Sequence, residues 1–377
     1  MKTPFDIHLS PSHLTGEEQK YIDKAIKNNH VSAFGENLIG FQKDICEDVG
    51  VNSCSLLSSG TAAIHLALIL LGVEQNDEVI SSTFTYSATI NPIIYQKAIP
   101  ILVDSERETW NMSPELLEEA IKDRIATGKK PKAIILVHLY GMPSKMEELM
   151  SIAHKYDIPV IEDAAEALGA TYKEKQMGGF GEMGIFSFNG NKIITTSGGG
   201  ALVSNKPDYC KQATFLATQA RDQAPHYQHS QVGYNYRMNN IVAGIGRGQM
   251  EVLDDRVSAR RANFDYYKKE LSHFSNIEFV EEPQGFYANR WLTTILTDSF
   301  ETCERIRLAL EKENIESRPL WKPMHLQPVF KEFPAYTDGT SEDLFNRGLC
   351  LPSGSNLSLD DLVRVVAVIK KVLRVKF

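Results

Sequence analysis

Gly184-Ile-Phe-Ser-Phe-Asn-Gly-Asn-Lys192-Ile-Ile-Thr-Thr-Ser-Gly-Gly-Gly-Ala-Leu-Val-Ser204 contains two short apolar runs, Gly184–Phe188 and Ala201–Val203, that read as strands. Between them lies a polar, glycine-rich turn with one cation, Lys192. A lysine on a tight loop between buried strands is held near the core. Its ammonium is poorly solvated there, and the free amine is a usable nucleophile. Gly198, Gly199 and Gly200 leave room for a bulky group against the backbone. The same letters also fit a β-hairpin with a surface lysine.

Upstream, strands alternate with helical patterns. The order is strand Glu78–Ser82, helix Ser87–Gln96, strand Ile99–Val103, helix Pro114–Ile125, strand Ala133–Val137, helix Lys145–Tyr156 and strand Pro159–Ile161. Such alternation predicts an α/β sheet, mostly parallel. Ligands in these sheets sit beyond the strand C-termini. Ser58-Ser-Gly-Thr61, Phe84, His138 and Asp163 each follow a strand, so a parallel sheet gathers them at one edge.

Each of these groups admits two readings. From Cys54 a short strand runs through Ser58-Ser-Gly-Thr61 into a helix apolar on nearly all sides. Its free N–H groups and positive dipole end suit a phosphate; a plain Ser/Thr cap looks the same. Asp163 closes Pro-Val-Ile-Glu-Asp163 and is followed by small apolar residues. A carboxylate there is partly buried and calls for a cation, such as a protonated pyridine nitrogen. The alternative is a cap on the next helix. Phe84 stacks on a flat ring or belongs to the core. His138 is a structural or a catalytic histidine.

Downstream, Arg221–Asn240 reads as a long polar and aromatic loop, of a length that is often functional. His226 and His229 in it lack further ligands, and no metal is expected. A long helix, Asn240–Leu271, leads into a smaller α+β region: strand Trp291–Leu296, helix Glu301–Asn314, strand Glu316–Arg318 and helix Leu359–Val372. At the other end Thr15-Gly-Glu-Glu18 signals a helix start, and a second helix spans Leu38–Val49. The division expected is an N-terminal arm and helix (1–34), a large domain (35–260) and a small domain (261–377).

A chain of 377 residues can bury one large core plus a smaller one, and its net charge of −8 does not suit electrostatic nucleic-acid binding. No apolar stretch approaches the ~20 residues of a membrane span. Met1-Lys-Thr-Pro-Phe-Asp6 lacks the apolar core of a signal peptide. Neither nucleic acid nor membrane is an expected partner. Cys46, Cys54, Cys210, Cys303 and Cys350 are scattered, as reduced thiols of a cytoplasmic protein are.

Read together, a phosphate cup, an aromatic wall, a strand-end carboxylate and a loop lysine meet the needs of pyridoxal 5′-phosphate. Ser58-Ser-Gly-Thr61, Glu162-Asp-Ala-Ala-Glu-Ala-Leu-Gly169, Phe186-Ser-Phe-Asn-Gly-Asn-Lys192 with Gly198-Gly-Gly200, and Gly233-Tyr-Asn-Tyr-Arg-Met238 carry a family resemblance. Over nearly the whole chain it resembles the DegT/DnrJ/EryC1/StrS sugar aminotransferases. The resemblance implies the fold-type I, aspartate-aminotransferase-like architecture: an α/β large domain with a mixed, mostly parallel sheet and a smaller C-terminal α+β domain. It also implies a homodimer with active sites at the subunit interface. Carried across, Lys192 is the covalent anchor of the cofactor and the proton shuttle, and Asp163 partners the ring nitrogen. Gly60, Thr61 and Ser187 take the phosphate, and Phe84 stacks on the ring. Glu166 stands near the ring oxygen, where many relatives have Gln. Asn235 reaches the phosphate of the neighbouring subunit. Some relatives carry His at the lysine position and are dehydratases; Lys192 therefore implies transamination.

Glu316–Phe330 and Ala288-Asn-Arg-Trp-Leu292 resemble the subgroup that makes UDP-4-amino-4,6-dideoxy-N-acetylglucosamine, a bacillosamine precursor. The implied reaction moves an amino group from L-glutamate to a nucleotide-linked 4-keto-6-deoxy sugar. Arg318, Trp321 and His325 would touch the nucleotide-sugar through charge, stacking and hydrogen bonding, or else form a structural turn with a packed Trp. A GDP- or dTDP-linked 3- or 4-keto sugar is the second substrate reading. A cofactor-binding regulator without turnover is a reading of another class, and the lack of a basic DNA-binding segment counts against it.

Overall fold

The computed structural model describes residues 5–374; the first four residues of the expected arm and the last three of the expected small domain lie outside the described residues. Every residue of the strand Ala133–Val137 is buried. Side chains alternate along a strand, so Ile134 and Leu136 enter one apolar layer while Ala133 and Ile135 enter the other. A strand buried on both faces needs helices on both. Glu36–Val49, Pro114–Ala126 and Met146–Lys155 cover the first face through Phe41, Ile45, Leu117, Ile121 and Leu149. Gly60–Leu70, Ser87–Tyr95 and Pro207–Ala217 cover the second through Ile64, Leu66, Ile90, Ile93 and Leu216. Each such side chain contributes about 1.5–3 kcal/mol by leaving water.

The sheet runs in the order Ser53–Leu57, Gly200–Ser204, Met183–Ser187, Val160–Asp163, Ala133–Val137, Glu78–Ser82, Ile99–Val103, Ala335–Tyr336. Five neighbouring pairs are parallel, and the two antiparallel ones both involve Gly200–Ser204. This is the mixed, mostly parallel sheet that the sequence leads one to expect. The reversed strand starts at the edge where its neighbours end. Its leading glycines therefore join their C-termini.

A second sheet, Ile277–Phe279, Thr293–Thr297, Gly348–Leu351, Arg318–Pro319, is antiparallel throughout. Helices Phe300–Lys312 and Leu359–Arg374 pack on it through Ile306, Leu310, Val365 and Ile369. The helix expected after Thr15 runs over Glu18–Lys27, and the Glu18 carboxylate accepts from Thr15 N and Gly16 N at 3.0 and 2.8 Å just ahead of it.

The single helix expected over Asn240–Leu271 is two, Asn240–Met250 and Leu253–Leu271, broken at Val252 (φ −126°, ψ 15°). The first lies flush on the N-terminal helices: a Cβ at Gly248 would come within 2.7 Å of the Glu18 backbone. The second turns away and carries Tyr267 and Leu271 into the other core. The division into 1–34, 35–260 and 261–377 stays a proposal. Helix Leu253–Leu271 runs through residue 260, and Ala335–Tyr336 returns to the large sheet beside Ile99–Val103. Among the described residues no helix is long and apolar enough to cross a membrane.

Candidate active site

Ser59 caps the helix Gly60–Leu70 by accepting from Ala62 N at 3.0 Å. The N–H groups of Gly60 and Thr61 have no acceptor within their helix and carry its positive dipole end. Two strand ends close on them. A Cβ on Gly60 would lie 3.2 Å from Ser187 Cβ, and a Cβ on Gly200 would lie 2.5 Å from the Gly60 nitrogen. Only glycine at 200 admits this approach, and the result is a cup of backbone donors suited to a phosphate.

The cup is one end of a cavity of about 830 Å³. Asp163 and Glu166 line it from the end of Val160–Asp163, Lys192 from the loop between the two antiparallel strands, and Tyr86, Trp291 and Trp321 as aromatic wall. Arg318 and Lys322 place two cations on its lining. The sheet edge thus brings together Gly60, Thr61, Asp163, Glu166, Ser187 and Lys192; the second sheet adds Arg318, and the segment after its strand adds Trp321.

Asp163 is buried and accepts only from neutral donors, Thr89 Oγ1 at 2.7 Å and Ala165 N at 3.2 Å. Among the described residues no basic side chain pairs with it, so its open need is a cation within the cavity. Glu166 Oε2 accepts from Tyr140 N at 2.7 Å, and Oε1 lies 3.3 Å from Lys192 Nζ. Burial pushes the Glu166 carboxyl up to about 7, against the pull of Lys192 and of the Tyr140 amide. Lys192 Nζ also lies over the Trp291 ring, 4.2 Å from its centroid.

Three expected site residues are not on this lining. Phe84 is 1% exposed and packs with Trp110, Leu139 and Tyr140 in an apolar cluster. Its expected place on the cavity wall is corrected to Tyr86, which is 58% exposed and tilts against Trp321 at 5.5 Å between centroids. The two aromatics stand two residues apart just beyond one strand, so sequence alone could not choose between them. His325 is also off the cavity: it bonds Thr83 Oγ1 at 2.7 Å and Glu342 Oε1 at 3.1 Å, which ties its turn to the sheet edge. Asn235 sits on the Arg221–Asn240 loop, bridged to Thr218 and bonded to Gln219, away from the cavity of its own chain.

His138 is structural. Ser144 N donates to its Nδ1 at 3.2 Å, so Nε2 carries the proton and donates to Glu162 at 3.2 Å. Glu162 in turn accepts from the amides of Gly178, Phe180 and Gly181, which pins that loop beneath the sheet edge. Sequence reasoning missed Thr89, Tyr86, Trp291 and Tyr140. Tyr140 holds a left-handed backbone (φ 53°), which aims its N–H at Glu166; no local pattern announces such a conformation in a tyrosine.

The donor set suits one coenzyme. An anion cup that a Cβ would fill, a buried acid without a cation and a loop amine match the phosphate, ring nitrogen and aldehyde of pyridoxal 5′-phosphate. The fold and this chemistry are those of a pyridoxal phosphate-dependent aminotransferase. The comparisons with known proteins are specific. EpsN of Bacillus subtilis, provisionally named a pyridoxal phosphate-dependent aminotransferase, is 51% identical over 96% of this chain and 95% of that protein. GDP-perosamine synthase of Escherichia coli O157:H7 is 39% identical over 93% of this chain and 94% of that one. The crystal structure of a DegT DnrJ EryC1 StrS aminotransferase from Brucella abortus superposes with a TM-score of 0.90 at 26% identity, covering 96% of each chain. The family model matches residues 12–370, and the chain belongs to the DegT/DnrJ/EryC1/StrS aminotransferase family.

Proposed function

We propose that this enzyme moves an amino group from L-glutamate to a nucleotide-linked 4-keto-6-deoxy sugar, with Lys192 as covalent anchor and proton carrier. The observation that carries the reading is one cavity shared by Lys192 Nζ, the uncompensated Asp163 and the Gly60–Thr61 amides. When bound, the coenzyme supplies the electron sink for the change at carbon. The chain supplies the rest. The cup and the Ser187 hydroxyl would hold the phosphate, and Asp163 would keep the ring nitrogen protonated. Tyr86 would wall the ring. Lys192 Nζ takes the proton from the amino-bearing carbon of glutamate and, in the second half, returns one to the sugar carbon that receives nitrogen. Arg318 and Lys322 offer the charge a nucleoside diphosphate needs, and Trp321 offers a stacking face.

The same reading includes a homodimer. Its support is that Asn235 has no cavity within its own chain, while Tyr227 and Val232 on the same loop are largely exposed. Asn235 would then serve the neighbouring phosphate.

Three nucleotides, UDP, GDP and dTDP, fit this reading. The segment 316–330 resembles enzymes of UDP-linked N-acetylated sugars. The GDP-perosamine synthases of Escherichia coli, Caulobacter vibrioides and Vibrio cholerae, at 39, 35 and 35% identity, favour a GDP-linked sugar. A panel of UDP-, GDP- and dTDP-linked keto sugars, each offered with glutamate, decides between them by the mass of the aminated product. No amination of any of them sinks the substrate reading. A regulator without turnover would bind the coenzyme yet fail to lose its visible colour on addition of glutamate.

A further inference from the structure

The residue before the lysine, Asn191, has an unusually well held carbonyl. It accepts from Trp291 Nε1 at 2.6 Å and from Ser10 Oγ at 2.7 Å. One buried cation organises both donors: Arg260 donates to the Trp291 carbonyl at 2.6 Å and to Ser10 Oγ at 3.1 Å. Trp291 itself is buried, stacked on Tyr140 at 6.4 Å and flanked by Trp321 at 6.3 Å between centroids. These contacts hold the ring, and Lys192 Nζ lies over it, 4.2 Å from its centroid. Glu166 Oε1 completes the surroundings at 3.3 Å. A π face and a carboxyl oxygen around one nitrogen make a site for an ammonium.

We propose that Trp291 is a positioning residue that, with Glu166, forms the berth of the Lys192 ammonium while the coenzyme is in its amine form. This rests on the assignment of Lys192 made above. The lysine is bonded while the coenzyme is in its aldehyde form and free while it is in its amine form. A berth for the free ammonium stabilises only the second. Trp291 thereby sets the balance between the two forms at fixed glutamate and 2-oxoglutarate, beyond its part in shaping the cavity.

The test uses the holoenzyme. Fluorine atoms added one at a time to the indole at position 291 drain charge from the ring face while keeping its shape and its N–H. The ratio of amine to aldehyde form is then read by absorbance in mixtures of glutamate and 2-oxoglutarate. The expected result is a stepwise fall in that ratio, reaching about 2- to 30-fold when the face is lost. Trp291→Leu should give the same endpoint. A ratio that stays constant along the fluorine series overturns the proposal. A native enzyme whose coenzyme is linked to some other residue overturns the Lys192 assignment instead.

Discussion

The Thr89 hydroxyl donates to Asp163 Oδ2 at 2.7 Å, and both side chains are buried. Having given its one proton to the carboxylate, Thr89 accepts from Thr85 Oγ1, also at 2.7 Å. The acid that faces the cavity thus ends a two-hydroxyl relay from the loop after Glu78–Ser82. Removing a bond to a buried carboxylate costs about 1.5–3 kcal/mol, against about 0.5–1.5 for a neutral pair. Thr89→Val should therefore lower the urea midpoint more than Thr85→Val does. Equal losses would show that the carboxylate does not depend on Thr89.

Gly200 sets how closely the reversed strand meets the anion cup. A Cβ there would meet the Ser59 carbonyl carbon and, at 2.5 Å, the Gly60 nitrogen, and backbone cannot rotate aside. Gly200→Ala should cost about 1–3 kcal/mol through overpacking. It should also weaken coenzyme binding by displacing the amides, read as a rise in Kd by equilibrium dialysis. Gly60→Ala, facing the Ser187 Cβ at 3.2 Å, should do less. Unchanged affinity in Gly200→Ala would remove the cup from the account.

Glu166 makes the chain's stability depend on pH. Burial lifts its carboxyl to about 7 from 4.5, so the unfolded chain ionises first. Its contribution to stability is then greatest below about 4.5 and falls as pH rises towards about 7, by at most about 3 kcal/mol. Glu166→Gln cannot titrate. Thermal melts across that window should show a flatter profile for the variant, which should become the more stable protein at the alkaline end. Parallel profiles would contradict this.

Phe84 and Tyr86 should separate cleanly. Phe84→Ala opens the core and should cost about 3–5 kcal/mol. Tyr86→Ala removes a largely exposed ring and should leave stability within about 0.5 kcal/mol. Coenzyme affinity, measured on both, should fall for Tyr86→Ala. A fall seen only in Phe84→Ala would restore the original expectation for the stacking ring.

The central sheet was legible because strands buried on both faces are unbroken apolar runs; Ala133–Val137 matches its expected bounds. Lys192, Asp163 and the Gly60–Thr61 turn were legible for a related reason. Each is a polar residue at the end of such a run, and parallel strands bring run ends together. The rest depends on long-range closure. Trp291 reaches the lysine loop from the antiparallel sheet, a hundred positions along the chain, and Tyr140 depends on a backbone conformation that its sequence does not announce. The break at Val252 has no glycine or proline to mark it; beyond it Leu253 and Val257 still pack in the first core, and only Tyr267 and Leu271 reach the other.

The most direct test of the account is where the coenzyme attaches. Borohydride reduction of the purified holoenzyme, followed by peptide mass spectrometry, should place one reduced pyridoxyl group on Lys192, and Lys192→Ala should carry none. A label on any other lysine, or a Lys192→Ala protein that still retains a reducible link, would contradict the reading of the whole cavity.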